Sequence, residues 1–468
     1  MPPLLPERTV VLGAGPAGLM AALELARAGR SVCVVERGER VGGLGGTTGF
    51  AAASGTYRFD FGGHRFITRS RELLETVEEL LGDDLLVATR SSVVRFGGRT
   101  YAYPLSVRNL VRTAPPRLLF GALRDLATLG RRPAEDGSFA DWVESRFGPT
   151  LYRAFFEGYT RKLWGIEPSE LSGDWASQRI SLIDLRDVAQ RLVASGRDTP
   201  RTYARRYRYP RLGFGVLFER LAERVVKEGG EIRTGASATG FRMSGDRIAA
   251  VEIETATGRE ELEADHVIAT LPLPAIVRMT GGECDLRFRG LRFFNLVMDQ
   301  PDVSPHTWQY LADPGLVGTR LQEPKRRSPA MAPAGRTSLM VEIPCDPGDA
   351  LWSASDADVF ARVSSDLATL GIDPSRATGE CFSVRTSTAY PLLSLGYEHE
   401  RARAIAHVSR IENLSPCGRQ GTFRYIFSDT AMEMGMTIAR GLIERPGERV
   451  PVWDYRNERT VIEVDSIA

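Results

Sequence analysis

The sequence predicts an α/β fold: a parallel-sheet domain, discontinuous along the chain, that carries a helical insertion and a mixed β-sheet. Three observations predict it. Residues 7–36 read as strand, glycine turn, helix and strand. A short, mostly apolar run, HVIAT at 266–270, reads as a strand of the same sheet covered on both faces. Between and beyond these lie helical periodicity (105–192) and several strand-like runs (287–345).

The first unit is the clearest. Thr9–Leu12 is β-rich and leads into GAGPAG, which supplies Gly13, Gly15 and Gly18 in the order G-x-G-x-x-G. Leu19, Ala22, Leu23 and Ala26 follow at helical spacing, and Ser31–Val35 reads as the next strand, ending in Glu36. This is a Rossmann-like βαβ context: glycines for a tight turn and close backbone approach, helix N–H groups for a pyrophosphate, and an acid for a ribose hydroxyl. The fingerprint alone leaves NAD and FAD both open. Glu36-Arg37 is followed by Gly42-Gly43, which resembles the E-x-x-x-x-x-GG extension of FAD proteins.

Further along, Ser70–Leu81 has helical spacing and 93–103 reads as a hairpin around Gly97-Gly98. Helical patterns occupy 107–112, 117–129, 138–147, 150–159 and 182–192. Phe214–Lys227 reads as a helix, with strands after it around 231–234, 238–243 and 249–255. Strand-like runs at 291–298, 308–312 and 338–343 precede a helix at 356–370. The last expected elements are a strand at 422–427 and a helix opening at 430–439. These patterns place a dinucleotide-binding domain in 1–95, 212–275 and 377–445, a helical insertion in 96–211, a mixed-sheet substrate domain in 276–376 and a tail in 446–468.

Composition removes several function classes. With 60 Lys+Arg against 59 Asp+Glu there is no global attraction to nucleic acid or to an anionic membrane. Lysine is nearly absent (Lys162, Lys227, Lys325). No apolar run reaches the length of a membrane span, and the N-terminal residues lack the features of a signal peptide. Five cysteines without a C-x-x-C fit a reducing compartment, so the cytoplasm is expected, and five scattered histidines show no metal-ligand spacing.

Five clusters carry candidate chemistry. Gly62-Gly63-His64 is either a structural turn or a loop against a flat ring. Phe155–Gly165 interleaves aromatic and cationic residues, including Tyr159 and Trp164, and is followed by Trp175 and Arg179. Such faces suit a base or sugar, or else pack a helix end. Residues 201–211 hold five arginines and three tyrosines with no acid, either a solvated face or a diphosphate site. Tyr310 and Arg320 fall in the mixed-sheet region. Arg419, Arg424 and Tyr425 precede Asp429-Thr430-Ala431-Met432 at a helix start, which suits an anion or polar ring atoms. No G-x-S-x-G occurs.

With these residues in view, the chain resembles the UDP-galactopyranose mutases, within the broader protoporphyrinogen oxidase and amine oxidase-like flavoproteins. FEGYTRKLWG with Arg179 is similar to the mutases' G-Y-T-x-K-x-W-G segment, and GRQGTFRY at 418–425 to their G-R-x-x-x-Y-R-Y, with Phe423 in place of the first Tyr. Gly63-His64, Arg320 after Trp-x-Tyr, and Tyr103-Pro104-Leu105 also resemble segments of that family. The RYRYPRLGFG run has instead the flavour of oxidases and desaturases, and the mutases' D-M-D is missing from 428–432. The resemblance implies FAD, held by the glycine turns, Glu36, Arg37, Gly62, Gly63, His64, Arg419 and residues 429–432. It implies a nucleotide-sugar substrate lined by Tyr159, Trp164, Tyr310 and Tyr425, with Arg179, Arg320 and Arg424 on the diphosphate and His64 tuning the flavin. It implies attack of reduced-flavin N5 on the anomeric carbon in a non-redox ring interconversion, with an external reductant for the flavin. The rival reading is a true FAD oxidoreductase that removes hydride from a small molecule.

Overall fold

The computed structural model describes residues 7–103, 107–128, 137–179 and 206–455. At its centre is a five-stranded parallel sheet in the order Leu414–Pro416, His266–Ala269, Arg8–Leu12, Ser31–Val35, Glu231–Arg233. Its strands come from distant parts of the chain, so the discontinuity expected from sequence is real. Val10, Val11, Val267, Ile268 and Leu414 are fully buried, as both faces of the sheet are covered. On one face, helix Pro16–Arg27 lies against helix Ser428–Glu444. The crossing is close because both helices are small there: a Cβ on Gly435 would stand 2.2 Å from the Ala17 carbonyl oxygen. An antiparallel meander (Ser237–Ser244, Arg247–Thr255, Gly258–Glu263) flanks the sheet.

The second sheet has seven strands, in the order Ala377–Pro391, Phe288–Met298, Thr337–Pro344, Arg320–Gln322, Trp308–Leu311, Ser92–Phe96, Arg99–Ala102. All neighbours pair antiparallel except Trp308–Leu311 with Ser92–Phe96. Phe288–Met298 is buried almost throughout, and this explains a correction to the sequence-based boundaries. A central strand needs a partner on each edge. Ala377–Pro391, expected with the dinucleotide-binding part, supplies one of them. The boundary at 95 likewise cuts through Ser92–Phe96. The boundary at 211 separates strand Arg206–Pro210 from its partner Leu85–Thr89.

The expected strand at 422–427 is absent: Leu414–Pro416 is the strand, followed by the short helix Gly418–Gly421 and an irregular turn. Phe423 takes a positive φ of 49° there. Its ring is buried against Phe288, a contact that holds the bend. In the helical part, Phe139–Leu151 kinks at Gly148 (φ 79°), then passes through a π-type turn, Tyr152–Glu157, into Gly158–Trp164. The expected helix at 182–192, the arginines at 201–205 and residues 456–468 lie outside the described residues.

Candidate active site

A cavity of about 680 Å³ runs from the glycine turns of the parallel sheet to the seven-stranded sheet. At one end, three backbone devices shape it. Gly13, at φ 99°, turns the chain, and its amide donates to the Val35 carbonyl at 2.8 Å. Gly18 allows the helix to pack: a Cβ there would lie 2.1 Å from the Gly13 carbonyl oxygen. Gly15 lines the cavity, and a Cβ on it would meet no atom within 4 Å, so cavity space begins at that backbone. The second glycine turn is tied to the first by Gly42 N–H donating to Ala14 O at 2.7 Å, and Gly43 faces Gly15.

Glu36 accepts from Ala14 N–H through one carboxylate oxygen and from Gly38 N–H through the other, both at 2.8 Å, and lines the cavity beside Arg37. Pro16, Ala17, Ser428 and Ala431 also line it, so the N-termini of two packed helices converge on the same space. A polar cradle with two positive helix ends and a ribose acceptor fits the diphosphate and ribose of a dinucleotide.

The middle of the cavity is framed by Gly62, Gly63 and His64. The His64 ring stacks on Phe214 (centroids 5.1 Å apart, planes 12° apart), and its buried Nδ1 has no hydrogen-bond partner. Burial, reinforced by Arg419, Arg327 and Arg320, draws its pKa down to about 3, so the ring is neutral. A neutral imidazole with an orphaned nitrogen suits a polar edge of a flat ring system. Gly63 borders the cationic end of the cavity: a Cβ on it would be 2.8 Å from Arg320 Nη1.

The far end is cationic and aromatic. Arg320 Nη1 lies 3.3 Å from Glu342 Oε1. Burial opposes its charge, but Glu342, Tyr390, Tyr310 and Tyr159 outweigh it and hold the guanidinium firmly cationic. Burial pushes the Tyr310 phenol up, and Arg320, Arg90 and Arg65 overcome that to bring it below its ordinary value. Trp308 stands beneath two of these cations, with Arg65 at 5.7 Å and Arg90 at 5.5 Å from its ring centroid. Tyr159 and Tyr310 meet edge to face at 6.4 Å, and Tyr425 packs between Trp175 and Tyr390.

The sequence-selected residues thus come together in large part. Gly13, Gly15, Glu36, Arg37, Gly43, Gly62, Gly63, His64, Tyr159, Tyr310, Arg320, Arg419, Tyr425 and Ala431 line one cavity. Others do not. Trp164 is buried (1% exposed) edge to face with Trp175, and it is Trp175 that reaches the wall. Arg424 is turned by the Phe423 bend towards the Tyr455 carbonyl, to which it donates at 2.8 Å. Thr430 and Met432 are buried, Met432 in the core beside helix Pro16–Arg27, and neither they nor Asp429 line the cavity. Arg179 ends helix Gly173–Arg179, and its side chain lies outside the described residues. Sequence reasoning missed Arg65 and Arg90, which line the cavity from separate segments; Arg385 also borders it, with its guanidinium donating to the Ala354 carbonyl at 3.3 Å.

Comparison with known proteins agrees with this construction. Residues 16–440 match the family described as flavin containing amine oxidoreductase. A phytoene dehydrogenase from Streptomyces griseus is 26% identical over 408 residues, 72% of this chain and 73% of that one. A probable UDP-galactopyranose mutase from Klebsiella pneumoniae is 26% identical over 172 residues, 35% of this chain and 43% of that one. Among solved structures, a reduced UDP-galactopyranose mutase shares the fold at a TM-score of 0.81 with 20% identity, covering 97% of this chain and 99% of that one. The chain belongs to the flavin-containing amine oxidoreductase family: it is an enzyme, and FAD is its cofactor.

Proposed function

We propose that the enzyme acts on a nucleotide sugar and interconverts its ring forms without net redox change, as the name of its mutase relative suggests. The charge of the cavity supports this reading above all. Arg65, Arg90 and Arg320 line its aromatic end, over the rings of Trp308 and Tyr310, and the one carboxylate among the described lining residues, Glu36, belongs to the glycine-loop end. Such a field attracts a diphosphate and repels a protonated amine. A hydrocarbon substrate would leave the guanidinium groups against an apolar surface, which is costly.

FAD supplies a nucleophilic ring nitrogen when reduced and a hydride acceptor when oxidised. The chain's own part is positioning and charge. Arg320 neutralises a departing diphosphate, with Arg179 as its partner on the strength of the family resemblance. Tyr159, Tyr310 and Tyr425 orient the sugar and base by stacking and hydroxyl contacts. His64, being neutral, presents a hydrogen-bonding nitrogen without adding charge to the flavin. An external reductant and a cytoplasmic setting belong to the same reading, with Cys33, Cys284, Cys345, Cys381 and Cys417 all free thiols. An oxidoreductase of an anionic substrate is the second reading, favoured by the family's description.

The test is Arg320→Lys, which keeps a cation beside Glu342 and loses the planar fork. UDP affinity, read by titration of the flavin absorbance, is expected to fall about tenfold, roughly 1.4 kcal/mol, with FAD content unchanged. Unaltered UDP affinity removes Arg320 from the anion site.

A further inference from the structure

Two paired strands carry the substrate-side groups. Trp308–Leu311 brings Tyr310, and Arg320–Gln322 brings Arg320, directly opposite it in the antiparallel register. Residues 312–319 join them. A connection of that length has no turn type of its own to fix how the two strands meet. Beyond the ladder itself, a further constraint comes from another element. Lys162, on helix Gly158–Trp164, places its Nζ 2.8 Å from the Leu311 carbonyl oxygen, 2.9 Å from Asp313 O, 3.2 Å from Leu316 O and 2.8 Å from Gly318 O. The same helix contributes Tyr159 to the cavity wall three residues earlier.

We propose that Lys162 is a positioning residue for the anion-binding end of the cavity, its ammonium gathering four carbonyls of the 311–318 segment so that Tyr310 and Arg320 face the substrate together. The proposal rests on reading that end as an anion site. Residue chemistry supports it. A compact ammonium with three protons can sit inside a ring of carbonyls, whereas a planar guanidinium cannot point its donors that way. Arginine supplies nearly every cation in this chain, and Lys162 is one of three lysines.

Three other tethers hold the same loop. Val317 N–H donates to Asp366 at 2.6 Å, Gly97 N–H to Asp313 at 2.9 Å, and Arg362 to the Gly315 carbonyl at 3.4 Å. On the neighbouring strand Thr337–Pro344, Glu342 faces Arg320. Burial draws Lys162 down to about 8, against the carboxylates of Asp366 and Asp313. A neutral amine keeps two protons and turns a lone pair on one of the carbonyls, so the grip on the loop weakens as pH rises through that value.

The experiment compares FAD-loaded wild type with Lys162→Met and Lys162→Gln, using UDP as the probe and the flavin absorbance as the readout from pH 6.5 to 9. The proposal expects UDP affinity to fall tenfold or more in Lys162→Met at pH 7, and less in Lys162→Gln, whose amide restores two donors. It expects the wild-type loss of affinity above pH 8 to vanish in Lys162→Met, while any limb due to Tyr310 persists there and disappears in Tyr310→Phe. If Lys162→Met does not retain FAD, Lys162→Gln carries the comparison. A folded, FAD-loaded variant with wild-type UDP affinity and an unchanged pH profile overturns the role of Lys162 alone. Wild type without UDP affinity overturns the anion-site reading and this proposal with it.

Discussion

His64 shows how burial decides chemistry at a single residue. An imidazole exposed to water would titrate between pH 6 and 7, and this one is drawn down to about 3 by burial first and by Arg419, Arg327 and Arg320 after it. The folded state therefore resists protonation that the unfolded chain accepts. Its contribution to stability is complete above the unfolded pKa of about 6.5 and is lost as pH falls from there towards 3. Between pH 7 and pH 5 the loss is roughly 2 kcal/mol. Urea unfolding of the holoenzyme should show His64→Phe losing about that much less than wild type over this interval. His266, drawn down to about 4 by burial, titrates in both proteins and cancels in the comparison. Equal pH dependence in the two would contradict a buried neutral His64. At this scale the sequence was partly legible. Gly62-Gly63-His64 and Arg320 stood out by their pattern, and Arg65 directly follows the first of them, whereas Arg90 sits singly in an unremarkable segment and is brought to the cavity only by the fold. Trp164 and Trp175 carry the same aromatic signal, and packing alone decides that Trp175 is the one at the wall.

Helix crossings set the next level. Gly435 lies in the middle of helix Ser428–Glu444, where glycine costs about 1 kcal/mol in helix propensity relative to alanine. Propensity alone would make Gly435→Ala stabilising. The added Cβ would stand 2.2 Å from a backbone oxygen of helix Pro16–Arg27, and backbone cannot swing aside as a side chain can. The clash should win, with a net loss of about 1–2 kcal/mol and weaker FAD retention as the two helix N-termini separate. Thermal melting and the FAD dissociation constant check this, and a more stable variant would refute the close crossing. Elements with strong periodicity, such as Ser31–Val35 and Ser70-capped Arg71–Leu81, are read well from sequence. The 422–427 segment is not, because its β-prone residues are bent by the positive φ of Phe423 and packed there by Phe288.

Across the whole molecule, the cavity exists because two sheets meet, one supplying polar backbone and helix ends, the other arginines and tyrosines. In the first sheet a local motif marks Arg8–Leu12 and Ser31–Val35 and an apolar run marks His266–Ala269, whereas the edge strand Leu414–Pro416 was not read. The second was legible only as separate strands, since the pairing of Ala377–Pro391 with Phe288–Met298 is a long-range choice that no local pattern encodes. A cationic cavity also makes a bulk prediction: UDP affinity should fall several-fold between about 50 and 500 mM salt as screening shortens the reach of the arginines. Isothermal titration would show this, and salt-independent binding would argue for apolar recognition.

The most direct measurement is anaerobic incubation of the enzyme with UDP-galactose, oxidised in one vessel and reduced by dithionite in the other, with products and flavin spectrum recorded together. The account predicts a ring-isomerised nucleotide sugar from the reduced enzyme alone, with the flavin still reduced at the end. Bleaching of the oxidised flavin by the sugar, or no product from the reduced enzyme, would contradict it.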